Sequence, residues 1–265
     1  MFIDSHCHLD KLDLSGYDHN FADMLQAATE RRVSKMLCVS ISLQAFEAMY
    51  QSILPWSQVY ASVGVHPLHT DEGEVDKNQL IELCQRERIV AVGETGLDYY
   101  YQQDTVELQQ ANFITHLEVA GESGLPVIVH TRDAREDTLR LIRQHGSANS
   151  GGVLHCFTES WEMAKAAMDE NYLISFSGII TFRNAAELRE VVQQVPLESM
   201  LIETDSPYLA PVPFRGKSNE PKYVVEVAKC IAELKGIAVE EVAEVTSRNF
   251  HRLFSRVEND DRLSA

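Results

Sequence analysis

The chain has 265 residues, 45% of them hydrophobic, with 23 Lys and Arg against 40 Asp and Glu, a formal charge of −17. That length fits one α/β barrel of about 250 residues and supports a core that needs no staples. The negative field repels polyanions at long range and argues against a passive nucleic-acid binder with a basic face. Any action on nucleic acid has to draw local positive charge from metal ions or a few placed basic residues.

The opening, MFIDSHCHLD, has no basic n-region and no apolar h-region, so no signal peptide is expected. No apolar stretch reaches membrane-spanning length. Cys7, Cys38, Cys84, Cys156 and Cys230 are scattered, odd in number and without a CxxC pair, which predicts reduced thiols in a cytoplasmic protein. No feature points to an obligate protein partner. In chain order, short β-branched apolar runs predict strands near 1–5, 33–40, 59–65, 89–94, 126–130, 152–157, 172–178 and 200–205. A helical pattern follows each. The clearest is 105–122, where Phe113, Ile114, Leu117 and Ala120 share a face, Gly124 is a stop signal and Pro126 opens the next strand. The last, 239–254, aligns Val239, Val242, Ala243, Thr246, Phe250 and Leu253. Strands alternating with helices predict a parallel sheet. Eight such units suggest a single (β/α)8 TIM-type barrel over 1–255, with an open doubly wound sheet as the alternative. No Pro-, Gly- or Ser-rich linker divides the chain, and a polar C-terminal tail, 256–265, is expected to fray.

The ionisable residues fall at strand ends. In the first strand Asp4, His6 and His8 share one parity and Cys7 takes the other. Histidines facing the barrel axis would turn Cys7 toward the helices. An HxH pair alone is read equally well as a polar turn. Here it is accompanied by Glu94 with Val90 and Val92 on its parity, His130 behind Ile128, His155 behind Val153, and Asp205 with Leu201 and Glu203 on its parity. Barrel active sites form at the C-terminal ends of the strands, so five strands deliver imidazole or carboxylate to one rim. Each residue has a bland reading, as a core histidine or a helix-capping carboxylate; the six placements together argue for a site. Four imidazoles and two carboxylates exceed the roughly three protein ligands of one catalytic ion. They suit a two-ion centre of the kind that supports in-line displacement at phosphorus. The mixed N/O set fits Zn, Mn, Fe or Co, and Mg less typically.

These residues lie in DSHCHLD at 4–10, GVHP at 64–67, GETGLDYY at 93–100, VIVHTRDA at 127–134, LHCF at 154–157 and ETDSPYLAP at 203–211. In that order and across almost the whole chain, the set resembles the TatD family of metal-dependent deoxyribonucleases within the amidohydrolase superfamily. The resemblance implies a barrel fold with the metal site at the C-terminal ends of the strands. It implies that His6, His8 and Asp205 hold one divalent ion, that His130 and His155 hold a second, and that Glu94 bridges them. Some superfamily members bridge with a modified lysine, and no lysine stands at that strand end. All six ligand types match. TESWE at 158–162 lacks a glycine found in some members, which bears on the substrate groove only.

Several neighbours carry two readings. His66, before Pro67, is a phosphate contact or an orienter near the metals, or a turn residue fixed by the proline. Arg132, Arg183, Arg215 and Lys217 are phosphate contacts or solvated loop charges. Glu203 orients a ligand histidine or pairs with a basic core residue. Residues 99–101, all tyrosine, stack on bases or belong to the core or rim. His19, His69, His116, His145 and His251 read as surface or structural.

The resemblance implies hydrolysis of phosphodiester bonds in DNA, or RNA, by a metal-activated water. Asp205 would act as base; His66, Arg132 and Arg183 would balance phosphate charge. The P–O bond breaks without a covalent intermediate, and Cys7 and Cys156 are expected to point away from the site. Two alternatives stand beside this reading. One is a metal-dependent esterase or deacylase, for example on aminoacyl-tRNA, because fold and metals do not fix substrate. The other is a non-catalytic metal-binding or assembly protein.

Overall fold

The computed structural model describes residues 1–258. Strands β1 (Phe2–Cys7), β2 (Val33–Cys38), β3 (Val59–Val63), β4 (Ile89–Asp98), β5 (Val127–Arg132), β6 (Gly152–Leu154), β7 (Tyr172–Phe176) and β8 (Met200–Ile202) form one parallel sheet paired in chain order. Closure between β8 and β1 runs through their ends. Cys7 bridges Ser206, the Asp205 N–H donates to the His6 carbonyl at 2.9 Å, and the His8 N–H donates to the Ser206 carbonyl at 2.8 Å. The result is a (β/α)8 barrel.

Helices α1 (Phe21–Glu30), α2 (Leu43–Ile53), α3 (Lys77–Leu83), α4 (Val106–Ser123), α5 (Arg135–His145), α6 (Trp161–Asp169), α7 (Ala186–Gln194), α8 (Val224–Lys235) and α9 (Val239–Leu253) alternate with or follow the strands, with short 3-10 turns and loops between. Their starts follow capping chemistry. Asn20, Ser42, Asp76 and Ser160 each accept a first-turn N–H that would otherwise lack a partner. Gly124 ends α4 in the left-handed conformation.

Two apolar layers result. The larger lies between strands and helices. The smaller fills the barrel with residues from every strand: Ile3, Leu37, Tyr60, Val90 with Ala91, Ile128, Val153, Leu173 and Leu201. Phe250 of α9, Phe254 and Val257 join that inner layer and close the N-terminal end of the barrel. The chain therefore does not fray at 256. The Arg256 guanidinium donates to the carbonyls of Cys84, Ile89 and Ser123, and the Glu258 N–H donates to the Tyr60 hydroxyl. A guanidinium, with five N–H donors, satisfies several carbonyls at once. The rest of the expected tail lies outside the described residues.

Strand limits also shift from expectation. The fourth strand continues to Asp98, whereas the sixth and eighth stop at Leu154 and Ile202. His155 and Glu203 thus stand just beyond their strands, and at Cys156 and Asp205 the backbone no longer alternates.

Candidate metal centre

In β5, β6 and β8 the alternation is regular. Ile128, Val153 and Leu201 point inward, and two residues further on so do His130, His155 and Glu203. In β1 and β4 it is broken. Ile3 faces the axis and Ser5 follows it, bonded to Ser175 across the barrel. The register then slips between Asp4 and Cys7, which turns His6 inward and leaves Cys7 in the outer layer. Asp4 shares no face with His6; its carboxylate receives the N–H and hydroxyl of Thr204 at 2.8 and 2.6 Å. In β4, Val92 packs outward rather than sharing the face of Glu94. A register slip between Val92 and Thr95 brings Glu94 in. Glycine is required on both sides of it: Gly93 and Gly96 have φ of 129° and 134°. A Cβ on Gly93 would stand 2.6 Å from the Ile128 carbonyl, and one on Gly96 would overlap the His130 carbonyl.

Glu94 is the hub. Its Oε2 lies 3.4 Å from His6 Nε2 and 4.0 Å from His8 Nε2. Its Oε1 lies 2.7 Å from His155 Nε2, 3.4 Å from His130 Nδ1 and 3.3 Å from His66 Nε2. Asp205 Oδ1 is 3.7 Å from His6 and 3.5 Å from His8. The six expected ligands therefore converge, and each carboxylate oxygen of Glu94 faces a different group of histidines.

Similarity to known proteins runs along the same residues. The TatD related DNase family matches residues 3–255. The chain belongs to that family. The metal-dependent hydrolase YcfH of Escherichia coli strain K12 is 50% identical over 252 residues, covering 95% of each chain. YabD of Bacillus subtilis strain 168, also a metal-dependent hydrolase, is 39% identical over 255 residues, covering 96% of this chain and 99% of its own. The crystal structure of YJJV, a TatD homolog from E. coli K12, matches with a TM-score of 0.88 at 30% identity, covering 96% and 98% of the two chains. This TatD-family protein is accordingly a metal-dependent hydrolase. No helix among its described residues is long and apolar enough to cross a membrane.

The donor set of the TatD-family site fits metal ions. His6 is fully buried with neither ring nitrogen hydrogen-bonded, and His155 Nε2 is likewise buried, 2.7 Å from Glu94 Oε1 but not aligned for a hydrogen bond to it. Stranded polar atoms of this kind are costly unless a ligand satisfies them. For the three candidate ligand histidines besides His6, hydrogen bonds on the far side of the ring choose the tautomer. His8 Nδ1 meets the Val39 carbonyl at 3.0 Å and His155 Nδ1 meets Glu203 at 3.3 Å, which frees Nε2 of both to ligate. His130 is reversed: Nε2 meets Asp98 Oδ2 at 3.1 Å, leaving Nδ1 toward the centre. His66 differs again. Its Nδ1 accepts the Leu68 N–H at 3.1 Å, so the neutral ring carries its proton on Nε2, facing Glu94. Its spacing to Glu94 and His130 suits a metal, but that protonated nitrogen is a donor and not a ligand.

Charges follow from the same packing. Burial works to raise the Glu94 carboxyl, but His155, His66, His6 and His130 outweigh it and hold the group well below the usual range. Burial likewise opposes ionisation of Asp205, which His8, His6 and His155 keep low. Burial pulls the His66 imidazole down to about 4, so it is neutral at pH 7. Glu203 is committed behind the site: Oε2 receives the Ser175 hydroxyl at 2.5 Å and Oε1 the Cys156 N–H at 2.7 Å.

The basic residues sit at the rim. Arg132, Arg183 and Arg215 are all exposed. Arg132 lies over the rings of Tyr100 and Tyr101, and Arg215 over Phe182 at 3.8 Å. Among 99–101, Tyr99 is half-buried with its hydroxyl on Asp137, while the next two are exposed. None of His19, His69, His116, His145 and His251 is in a metal-competent cluster among the described residues. His116 is structural, its Nε2 accepting the Val65 N–H at 3.0 Å.

Two expectations change. Cys7 does point away, but Cys156 does not. It adopts φ of 42° just past β6, which ends the alternation, and its thiol stays within electrostatic reach of Asp205, Glu203 and Glu94. Burial first, then those carboxylates, push that thiol well above its ordinary pKa. The second is Asp98, which was not anticipated. It shares the parity of Glu94 four residues earlier, and a strand extended to Asp98 would have exposed it.

Proposed function

We propose that this hydrolase cleaves phosphodiester bonds of DNA, with RNA as a related substrate, using two divalent cations. The observation that carries the reading is the division of Glu94: one oxygen toward His6 and His8, the other toward His130 and His155. In this assignment His6, His8 and Asp205 would hold one ion, His130 and His155 the other, and Glu94 would serve both. Such a pair polarises a phosphate oxygen and lowers the pKa of water.

The protein supplies the rest. Asp205, held ionised by its histidines, takes a proton from the attacking water; the water oxygen bonds to phosphorus and the P–O bond to the leaving oxygen breaks. Asp205 keeps φ of 55°, a conformation that aspartate tolerates and that aims its carboxylate at the centre from beyond β8. Neutral His66 donates its Nε2 proton to Glu94 or to a phosphate oxygen. Glu203 and Asp98 fix the rings of His155 and His130. Arg132, Arg183 and Arg215 offer positive charge along the rim of an otherwise acidic protein. The Cys156 thiol, pushed up in pKa, stays protonated and makes a poor nucleophile, which favours direct attack by water. Five unpaired thiols support action in the cytoplasm.

The test is metal removal by a strong chelator, with add-back of Zn, Mn, Mg, Fe or Co. The readouts are end-labelled single- and double-stranded DNA and RNA and, in parallel, an aminoacyl ester. Loss on chelation and recovery of phosphodiester cleavage are expected. Undiminished activity without metal would overturn the two-ion reading. Ester hydrolysis with no phosphodiester cleavage would overturn the nuclease reading.

A further inference from the structure

We propose that Tyr100 and Tyr101, braced by Arg132, form a stacking platform for an unpaired nucleobase of the strand bound at the metal centre; the proposal rests on the nuclease reading above. Few large apolar side chains are exposed, and three of them are tyrosines at one end of the barrel: Tyr100 at 54%, Tyr101 at 60% and Tyr208 at 53%. The first two follow β4 and the third follows β8, four strands away in the sheet order, so they stand on opposite walls of the mouth. Tyr208 flanks the His8 side, with its ring 6.2 Å from that imidazole.

The Tyr100–Tyr101 pair is built rather than incidental. The rings meet edge to face with centroids 4.8 Å apart. The Arg132 guanidinium lies over both, at 4.2 and 4.6 Å. Such a contact fixes ring orientation and adds cation–π attraction. Asp98 accepts the N–H groups of Tyr100 and Tyr101 at 3.0 and 2.9 Å on Oδ1, and touches His130 with Oδ2. One carboxylate therefore ties the platform to a residue of the centre. Gln109 clamps the turn from below, accepting the Asp98 N–H at 2.8 Å and donating to the Gln102 carbonyl at 2.8 Å. Tyr99 serves the scaffold through its hydroxyl; the next two rings meet each other and Arg132 and remain more than half exposed.

A nucleotide brings an aromatic face beside a negative phosphate, and the platform offers aromatic faces beside a guanidinium. Every base has a π face, so such a platform is sequence-tolerant. In a duplex those faces are already stacked, so the occupant is a base in single-stranded or opened nucleic acid. Stacking also supplies affinity that a protein of net charge −17 does not get from a basic surface.

The experiment compares binding of two short, fluorescently labelled DNA single strands with cleavage-resistant phosphorothioate linkages, one carrying bases and one abasic, read before cleavage begins. Equal charge isolates the contribution of the bases. Anisotropy with metal-loaded, full-length protein should give affinity about ten-fold higher for the base-bearing strand. In the Tyr100→Ala/Tyr101→Ala variant that ratio should fall close to one, and in Tyr100→Phe/Tyr101→Phe it should be retained, which separates stacking from folding. A ratio near one in the unmodified protein, or an unchanged ratio in the alanine variant, overturns the proposal, the second outcome leaving the rings as a surface for some other partner. Retained discrimination without cleavage of a natural strand would instead remove the nuclease reading alone.

Discussion

At the N-terminal end of the barrel, all eight strands contribute apolar side chains to the interior, and Phe250, Phe254 and Val257 cover them. At the C-terminal end the same strands carry Glu94, His130, His155 and Glu203, and the alternation fails at β1 and β4 through register slips. Asp205 and Cys156 there adopt positive φ, which costs of order 1–3 kcal/mol per residue. Left-handed residues occur at the closed end too, at Arg32, Arg88 and Asn171 just before β2, β4 and β7; what sets the mouth apart is that its register slips and left-handed turns bring His6, Glu94 and Asp205 to the axis. The apolar end stabilises a structure in which the polar end can keep strained, desolvated groups. Changes at the mouth should therefore act on metal and turnover, and changes at the closed end on stability.

The largest expected effect is at Glu94. Glu94→Ala removes the one carboxylate among the described residues that faces both histidine groups, so elemental analysis should find metal depleted and hydrolysis lost. His66→Ala should retain metal, because the His66 Nε2 carries a proton. Equal occupancy in the two variants would mean that the bridge is misassigned. Asp205→Asn comes next. It keeps the shape and one oxygen but removes the base, so single-turnover cleavage should fall on the order of 10²–10⁴-fold with little change in substrate binding. Recovery of the rate by added metal would make Asp205 a ligand only.

How much of this could be read from sequence follows the same division. Where alternation holds, as for Ile128 and His130 or Val153 and His155, position in the strand and direction of the side chain were both legible. At β1 and β4 the residues named were those that converge, but the parity argument behind them does not hold. Val92 faces the helices and Asp4 faces Thr204. Register slips leave no mark in a hydrophobic pattern, although the two glycines around Glu94 hint at one. Asp98 was hidden by ending β4 at Glu94. Cys156 was misdirected because β6 stops before it. The closing contacts of Arg256 were hidden because a guanidinium that caps carbonyls reads, in sequence, like any solvated tail charge.

At the closed end, Phe254→Ala should cost about 3–5 kcal/mol of unfolding free energy in a urea titration, the usual scale for a fully buried Phe. Its turnover per metal-loaded molecule should match the unmodified protein. A large fall in turnover with unchanged stability would break the division between the two ends.

The smallest effect sharpens the division most, because Asp98 joins the regular strand to the irregular site. Its Oδ2 holds His130 Nε2 and its Oδ1 holds the N–H groups of Tyr100 and Tyr101. Burial raises its carboxyl, but His130 and the two backbone donors overcome that and keep it ionised. An ionised acceptor makes the opposite imidazole nitrogen more basic and fixes the ring. Asp98→Asn has one acceptor oxygen in place of two and an NH₂ group that cannot receive an N–H. It must give up either His130 or the tyrosine turn. Metal affinity, measured by competition with a chromophoric chelator, should fall about 10–100-fold, and saturating metal should restore most of kcat. If the amide keeps His130 and releases the turn, metal affinity will hold and the preference for base-bearing over abasic strands will fall instead. A variant that changes neither quantity would show that the carboxylate orients nothing, and that the ring of His130 is fixed by its own packing.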